Sequence, residues 1–373
     1  MKVLFLVTED WYFLSHRLPL AEAVLRQGHE VVVATRVQDH GRDIVEAGMR
    51  VLPIRLRRRS KKPLQELLAI LEIVKIYRRE KPDIVHHVSL KPVLYGSMAA
   101  WLARATKVVN ALAGLGFVFS SQRRLARLLR PFVRMAFRLL CNRPGSVVIV
   151  QNPDDRALLV DNLGIDSGRV ALIRGSGVAV DEYRLVPEPD GEPVIALVSR
   201  MLWDKGIGEY VDAVKKLHAR GLVFRALLVG IPDPENPASV PERQLHAWHE
   251  QGDIEWLGFV GDIAALWERS HLAVLPSYYG EGVPKSLIEA ACCGRAIVTT
   301  DMPGCREIVR HGVNGLLVPV RDADRLADAI AMLLTDHEQR RAMGGRGREL
   351  VEREFSVARV NRETLALYKG LLQ

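Results

Sequence analysis

The sequence predicts an α/β protein built from two Rossmann-like, doubly wound domains facing one another across a cleft. Three observations predict it. The first half opens with an apolar strand at residues 3–7, a loop, a helix at 18–27 closed by Gly28, and a second strand at 30–35. About 190 residues later the pattern repeats: a strand at 194–199, a loop at 200–206, a helix at 207–220 closed by Gly221, and a strand at 223–229. Further on, the apolar runs 272–275 and 296–300 enclose a loop and a helix that Pro284 begins and Gly294 stops, one complete βαβ unit. Alternating strands and helices of this kind make parallel sheets covered on both faces, with ligands at the carboxyl ends of the strands.

The boundary between the domains is expected within 174–193, where Gly175, Gly177, Pro187, Pro189, Gly191 and Pro193 interrupt any helical period and suggest a hinge. This gives domains at 1–180 and 181–352, followed by a terminal segment at 353–373. The cluster from Gly344 to Arg348 is expected to be a solvated turn ahead of the last helix.

With 373 residues and 48% hydrophobic content, the chain can bury a large core and is not disordered. Its net charge of +8 is unevenly spread. Residues 1–180 carry 29 Lys and Arg against 15 Asp and Glu, a surplus of +14, whereas the remainder carries 23 against 29, or −6. A basic first domain calls for an acidic partner, either an anionic membrane or a nucleic acid. Cys141, Cys292, Cys293 and Cys305 have no metal-ligand spacing and are expected as free thiols in a reducing compartment. The apolar start runs into Glu9 and Asp10, too soon for a signal-peptide core, and no stretch approaches eighteen apolar residues. The expected location is cytoplasmic, peripheral at the inner face of the membrane.

The chemistry concentrates in the loops of the second half. Glu281 lies in the glycine-flanked loop after the strand at 272–275, and Glu289 stands one and a half turns inside the following helix, whose first amides suit an anion. A carboxylate accepts two hydrogen bonds, so Glu289 suits the neighbouring hydroxyls of a ribose. Glu281 is placed to approach a transferred sugar and to favour a cationic transition state. Arg200 and Lys205, in the loop after the strand at 194–199, supply the cations that a diphosphate needs; a unit pair at 4 Å is worth roughly 4 kcal/mol at an effective dielectric of 20.

These residues carry a family resemblance. Ser199-Arg200-Met201-Leu202-Trp203-Asp204-Lys205-Gly206, the run Glu281-Gly282-Val283-Pro284-Lys285-Ser286-Leu287-Ile288-Glu289, Gly294-Arg295-Ala296-Ile297-Val298 and Asn314-Gly315-Leu316-Leu317-Val318-Pro319 resemble family 4 retaining glycosyltransferases of the GT-B fold. The resemblance implies that Arg200 and Lys205 bind the donor diphosphate, Glu289 binds ribose and Glu281 contacts the donor sugar. It also implies that the loop around Gly282 and the amides of Lys285, Ser286 and Leu287 support phosphate, and that Gly258-Phe259-Val260 meets the base. Residues 355–373 are expected to form a helix crossing back to the first domain, as in similar enzymes. No protein nucleophile is implied: the acceptor attacks on the face that the leaving diphosphate vacates, and phosphate takes the proton.

Within the first half, Trp11 to Pro19, Leu90-Lys91-Pro92-Val93-Leu94-Tyr95-Gly96 and Val109 to Gly116 are similar to bacterial enzymes that extend polyprenyl-diphosphate-linked glycans. On that basis His16, Lys91 and Gly114 are candidates for donor or acceptor contact. The glycine pair of many members is replaced here by Ser15-His16, and Val88 stands where a histidine is expected after His86. His86 and His87 therefore read as strand-end residues.

A basic face is expected to meet the membrane. Leu125, Leu128, Leu129, Phe132, Val133, Ala136, Phe137 and Leu140 recur at helical spacing among Arg123, Arg124, Arg127, Arg130, Arg134 and Arg138, and the run at Arg55, Arg57, Arg58, Arg59, Lys61 and Lys62 adds a basic loop. A helix buried against the sheet is the alternative for residues 117–141. Asp322-Ala323-Asp324 spells a metal-binding triplet, but its position before an apolar helix makes Asp322 an N-cap, and no metal or other cofactor is expected. His246 and His249 read as surface residues.

The resulting expectation is transfer of a hexose or N-acetylhexosamine from a UDP-sugar to a polyprenyl-diphosphate-linked saccharide, with no nucleic acid partner. Two alternatives stay open: a nucleotide-sugar epimerase of the same fold, and a non-catalytic binder of anionic membranes or nucleic acid.

Overall fold

The computed structural model describes residues 1–58, 62–105, 107–115, 124–278 and 280–373, with backbone alone at 124–130 and 132. The chain forms two compact units, one of Met1–Ser176 with Val357–Gln373 and one of Gly177–Ser356.

In the first unit the chain runs β1 (Lys2–Glu9), α1 (Asp10–His16), α2 (Leu18–Arg26), β2 (Glu30–Arg36), α3 (Gly41–Glu46), β3 (Arg50–Pro53), α4 (Pro63–Glu80) and β4 (Ile84–Val88). It continues through α5 (Leu90–Ala103), β5 (Val108–Ala111), α6 (Arg124–Cys141), β6 (Ser146–Val150), α7 (Pro153–Ala157) and β7 (Val170–Leu172). The described strands pair in parallel in the order β3-β2-β1-β4-β5-β6-β7, with Val3 opposite Val31 and Ile84. Such a sheet is covered on both faces, which is why β1 is apolar at every position from Val3 to Val7 rather than alternating. Leu4 and Leu6 pack under α4 and α5, whereas Phe5 and Val7 pack under α1 and α2.

The second unit runs β8 (Val194–Val198), α8 (Ile207–Ala219), β9 (Arg225–Val229), α9 (Glu242–Glu250), β10 (Glu255–Gly258), α10 (Ile263–Glu268), β11 (Leu272–Leu275) and α11 (Lys285–Cys292). After these come β12 (Ala296–Thr300), α12 (Pro303–Ile308), β13 (Gly315–Val318), α13 (Ala323–Thr335) and α14 (His337–Glu354). Its parallel order, β10-β9-β8-β11-β12-β13, reverses direction between β8 and β11, where a doubly wound sheet opens its ligand crevice. Residues 353 and 354 complete α14, and the expected terminal helix is α15 (Val357–Leu372), which packs in the first unit against α2.

One expectation is corrected. The cluster from Gly344 to Arg348 lies within α14 and forms no turn. Gly344 is there because the helix crosses backbone: a Cβ at this position would stand 2.0 Å from the carbonyl oxygen of Gly294. The units divide between Ser176 and Gly177, inside the segment expected to hold the boundary, and residues 183–189 beyond that division are strapped to the second unit. Arg340 and Glu188 form a two-bond salt bridge at 2.9 and 2.8 Å with side chains 2% and 4% exposed, Arg295 Nη2 donates to the Val186 carbonyl at 2.8 Å, and His271 Nε2 meets the Pro189 carbonyl at 2.9 Å. Burial pushes the Glu188 carboxyl up, but hydrogen bonds from Arg340 and then Arg341 outweigh it and leave it below its ordinary range.

Asp322 caps α13, accepting from the Arg325 amide at 2.9 Å. Among the described residues no helix is long and apolar enough to cross a membrane.

Candidate active site

The loops after β8 and β11 are fastened together at the switch point of the second sheet. Gly206 makes this possible. Its φ of +76° needs no side chain, and a Cβ there would fall 2.2 Å from the Pro276 carbonyl oxygen, so only glycine lets the two backbones touch. The Tyr278 amide donates to the Asp204 carbonyl at 3.1 Å, and the Ser277 hydroxyl reaches the same oxygen at 3.3 Å. This zipper brings Lys205 and Glu281 into direct contact through Nζ and Oε2, with side chains 13% and 16% exposed. Ser277 fixes the other carboxylate oxygen, donating to Glu281 Oε1 at 2.9 Å. Gly304 at the start of α12 presses on the Gly282 carbonyl, where a Cβ would stand 2.0 Å away, and holds the glycine loop from behind.

Arg200 opens the same β8 loop but points to another partner. Its Nη1 pairs with Asp233 Oδ2 at 2.6 Å, and the arginine remains 42% exposed. An anion arriving here meets a cation that already has a partner but stands partly in water.

Glu289 is carried into the second unit's core by α11. Pro284, expected as the first helical residue, is the N-cap, so the helix starts one residue later at Lys285, and it buries Leu287, Ile288, Ala290 and Ala291 together with Glu289. Two groups meet its Oε1: the Tyr183 hydroxyl donates at 3.0 Å, and Lys285 Nζ lies at 3.4 Å. Burial raises the Glu289 carboxyl above its ordinary value, while Lys285 and the Tyr183 hydrogen bond pull the other way without cancelling it. Among the backbone donors expected at this helix start, the Leu287 amide is engaged with the Pro284 carbonyl at 3.2 Å, and Lys285 and Ser286 form the partly exposed first turn. Phe259, 77% exposed, and the half-buried Val260 follow the carboxyl end of the edge strand β10.

Tyr183, Ser277 and Asp233 were not expected at the site. Tyr183 lies 106 residues from Glu289, and Asp233 lies 33 from Arg200, so no local spacing marks either pair. Tyr183 is itself fixed through its carbonyl, which accepts from Arg348 Nη1 at 2.5 Å. A local signal existed only for Ser277, a hydroxyl in the loop between the β11 strand and Glu281.

In the first unit, His16 ends α1, with Nδ1 at 2.6 Å from the Ser15 hydroxyl and its ring stacked on Tyr12 at 4.2 Å. Gly114 follows β5 with φ +102°. Lys91 has a structural role: its Nζ donates to the Arg57 carbonyl at 2.6 Å, pairs with Glu66 at 2.7 Å and lies over the Tyr95 ring. His86 and His87 are buried within β4. His86 Nδ1 meets the Tyr368 hydroxyl at 2.5 Å, and His87 joins Tyr77 and Asn110 at 2.9 and 2.8 Å, with burial lowering its pKa to about 4. Of the basic face, Arg57, Lys62, Arg134 and Arg138 are exposed and Arg58 is half-buried. Arg59, Lys61 and Arg123 lie outside the described residues, as do the side chains of Arg124, Arg127 and Arg130.

Comparison with known proteins matches both units. A model described as "Glycosyl transferase 4-like" matches residues 2–151, and one described as "Glycosyl transferases group 1" matches residues 192–336. The chain is 26% identical over 349 residues to the N,N'-diacetylbacillosaminyl-diphospho-undecaprenol alpha-1,3-N-acetylgalactosaminyltransferase of Campylobacter jejuni, covering 88% of this chain and 90% of that one. It is 22% identical to the UDP-Gal:alpha-D-GlcNAc-diphosphoundecaprenol alpha-1,3-galactosyltransferase of Escherichia coli, over 73% of this chain and 72% of the relative. The crystal structure of Anabaena HepE in complex with UDP and glucose shares the fold with a TM-score of 0.79 at 19% identity, covering 99% of each chain. With family-model matches spanning both units and a GT-B architecture, the chain belongs to the family 4-like glycosyltransferases.

Proposed function

We propose that the protein transfers a hexose or N-acetylhexosamine from a UDP-sugar to a polyprenyl-diphosphate-linked saccharide, with retention of configuration and without a metal ion, at the inner face of the membrane. The observation that carries this reading is the fastening of the β8 and β11 loops, which puts Lys205, Glu281 and Ser277 in one cluster beside the helix that bears Glu289. The named substrates of the Campylobacter and Escherichia relatives support the lipid-diphosphate acceptor, and the UDP and glucose bound to the Anabaena neighbour support the donor.

In this reading the Lys205–Glu281 pair is the resting state of the site. A diphosphate takes Lys205 as its counter-ion, Arg200 adds a second cation, and Glu281, released from Lys205 but still held by Ser277, turns to a sugar hydroxyl. Positioning and charge stabilisation of the leaving diphosphate do the catalytic work. The test is UDP release from a panel of UDP-sugars, with a short-chain polyprenyl-diphosphate saccharide present or absent. Acceptor-dependent release, at least ~100-fold slower in Arg200→Ala and Glu281→Ala and indifferent to a chelator, is the expected result. Undiminished turnover in both variants removes the assignment, and inversion at sugar C2 without acceptor replaces it with the epimerase reading.

A further inference from the structure

The outer face of α4 departs from the usual pattern of a sheet-covering helix. Ala69, Ile70, Ile73, Val74 and Tyr77 face the core, so the opposite face ought to be polar. Instead Leu64, Leu67, Leu68 and Leu71, at the i, i+3, i+4, i+7 spacing of one stripe, are 69%, 53%, 53% and 44% exposed. Four large apolar side chains in a line on solvent mark a surface that something covers.

The charges around the stripe identify the cover. Arg57 and Lys62 are exposed in the loop before the helix, and Lys75 and Arg79 continue the same outer face beyond Leu71. The two carboxylates in the apolar part of the helix are occupied elsewhere: Glu66 pairs with Lys91 at 2.7 Å, and Glu72 accepts from the Arg55 amide at 2.9 Å. Lys91 also ties down the Arg57 carbonyl, so the basic loop is held against the head of the helix. The result is an apolar stripe bounded by cations at both ends, with its carboxylates turned to protein partners. An isologous contact with a second copy would bring like charges together at its edges. Nucleic acid phosphates would meet the cations but give the leucines nothing.

We propose that the α4 stripe and the loop carrying Arg57 and Lys62 form a membrane-docking edge, with the leucines entering the acyl boundary of an anionic bilayer and the cations meeting lipid headgroups. The placement suits the work: α4 begins at the carboxyl end of the parallel sheet, so the edge lies on the side of the first unit where ligands enter. This inference deepens the proposed function and rests on it for the lipid-linked acceptor, while the surface itself is independent of the donor chemistry. It places an apolar surface on α4, outside the amphipathic stretch expected at residues 117–141.

Flotation of the full chain with vesicles of phosphatidylglycerol in phosphatidylcholine tests it, beside vesicles of phosphatidylcholine alone. The wild type is expected to float with the anionic vesicles. Leu67→Ser with Leu68→Ser should lower partitioning by ~10-fold or more, with melting temperature and turnover on a short-chain, water-soluble acceptor unchanged. Arg57→Gln with Lys62→Gln should flatten the salt dependence. The proposal is overturned if the leucine variant floats like the wild type, or if sedimentation shows a wild-type dimer that the leucine changes dissociate. It is overturned equally if the chain binds DNA and ignores the vesicles. Loss of vesicle binding in the leucine variant of a protein that turns over no nucleotide-sugar would sink the proposed function and leave the docking edge standing.

Discussion

Glu289 is 7% exposed, and its Oε1 is met by the Tyr183 hydroxyl and Lys285 rather than by water. Its raised pKa means that the folded chain holds this proton more tightly than the unfolded chain. Ionisation therefore costs stability, and the cost sets in as pH rises from the unfolded value through the folded one. Under the proposed function, ribose binding uses the ionised acceptor and runs the opposite way, fading as pH falls through the raised value. Glu289→Gln is accordingly expected to keep or raise the melting temperature at neutral pH while weakening UDP affinity by roughly 1.5–3 kcal/mol. Melting curves and calorimetric titrations at neutral and mildly acidic pH check both halves; a variant that melts earlier yet binds UDP normally would show that this carboxylate is structural. Lys205 and Glu281 present the simpler case of two opposite charges that each occupy the other until a ligand divides them.

At the scale of elements, the strap at residues 183–189 links stability to the site, because it carries Tyr183 to Glu289 and is anchored by the buried Arg340–Glu188 bridge. Removing one partner of such a bridge leaves a charge buried alone. Arg340→Ala is expected to cost ~3–5 kcal/mol of stability in denaturant unfolding. Glu188 has a lowered folded-state pKa, so the bridge's contribution is present above the unfolded carboxyl value and is lost as pH falls through the folded one. The deficit of the variant should shrink in acid. A cost below ~1 kcal/mol at neutral pH would show that the strap is held by other contacts. α14 makes a related point through Gly344, whose absent side chain lets the helix lie on the Gly294 carbonyl.

Across the whole molecule, what the sequence shows and what it hides divide by range. The run from β11 through α11 to β12 was legible because buried parallel strands are continuous apolar stretches, and both strands end where residues 272–275 and 296–300 predict. The site was legible for the same reason: Arg200, Lys205, Glu281 and Glu289 sit in or just beyond loops at strand ends, and those ends are readable. Partners chosen by tertiary contact were not. Tyr183, Asp233 and the Lys91–Arg57 tie join residues with no shared period, and the glycines of α14 read as a turn because close helix–backbone packing leaves no local mark. The outer leucines of α4 were illegible as a surface because apolar residues at helical spacing read as core until the fold shows which face is covered. The first 180 residues hold the cationic excess, and the second unit holds the fastened β8 and β11 loops, a division that fits the lipid-side and donor-side units of the proposed function.

The most direct test of the central claim, that the fastened β8 and β11 loops grip a nucleoside diphosphate, is calorimetric titration of UDP into the wild type and Lys205→Ala. Wild-type binding is expected, with affinity at least ~10-fold weaker in the variant, since it loses a cation and leaves Glu281 unneutralised beside the diphosphate. Equal UDP affinity in the two proteins would contradict the account.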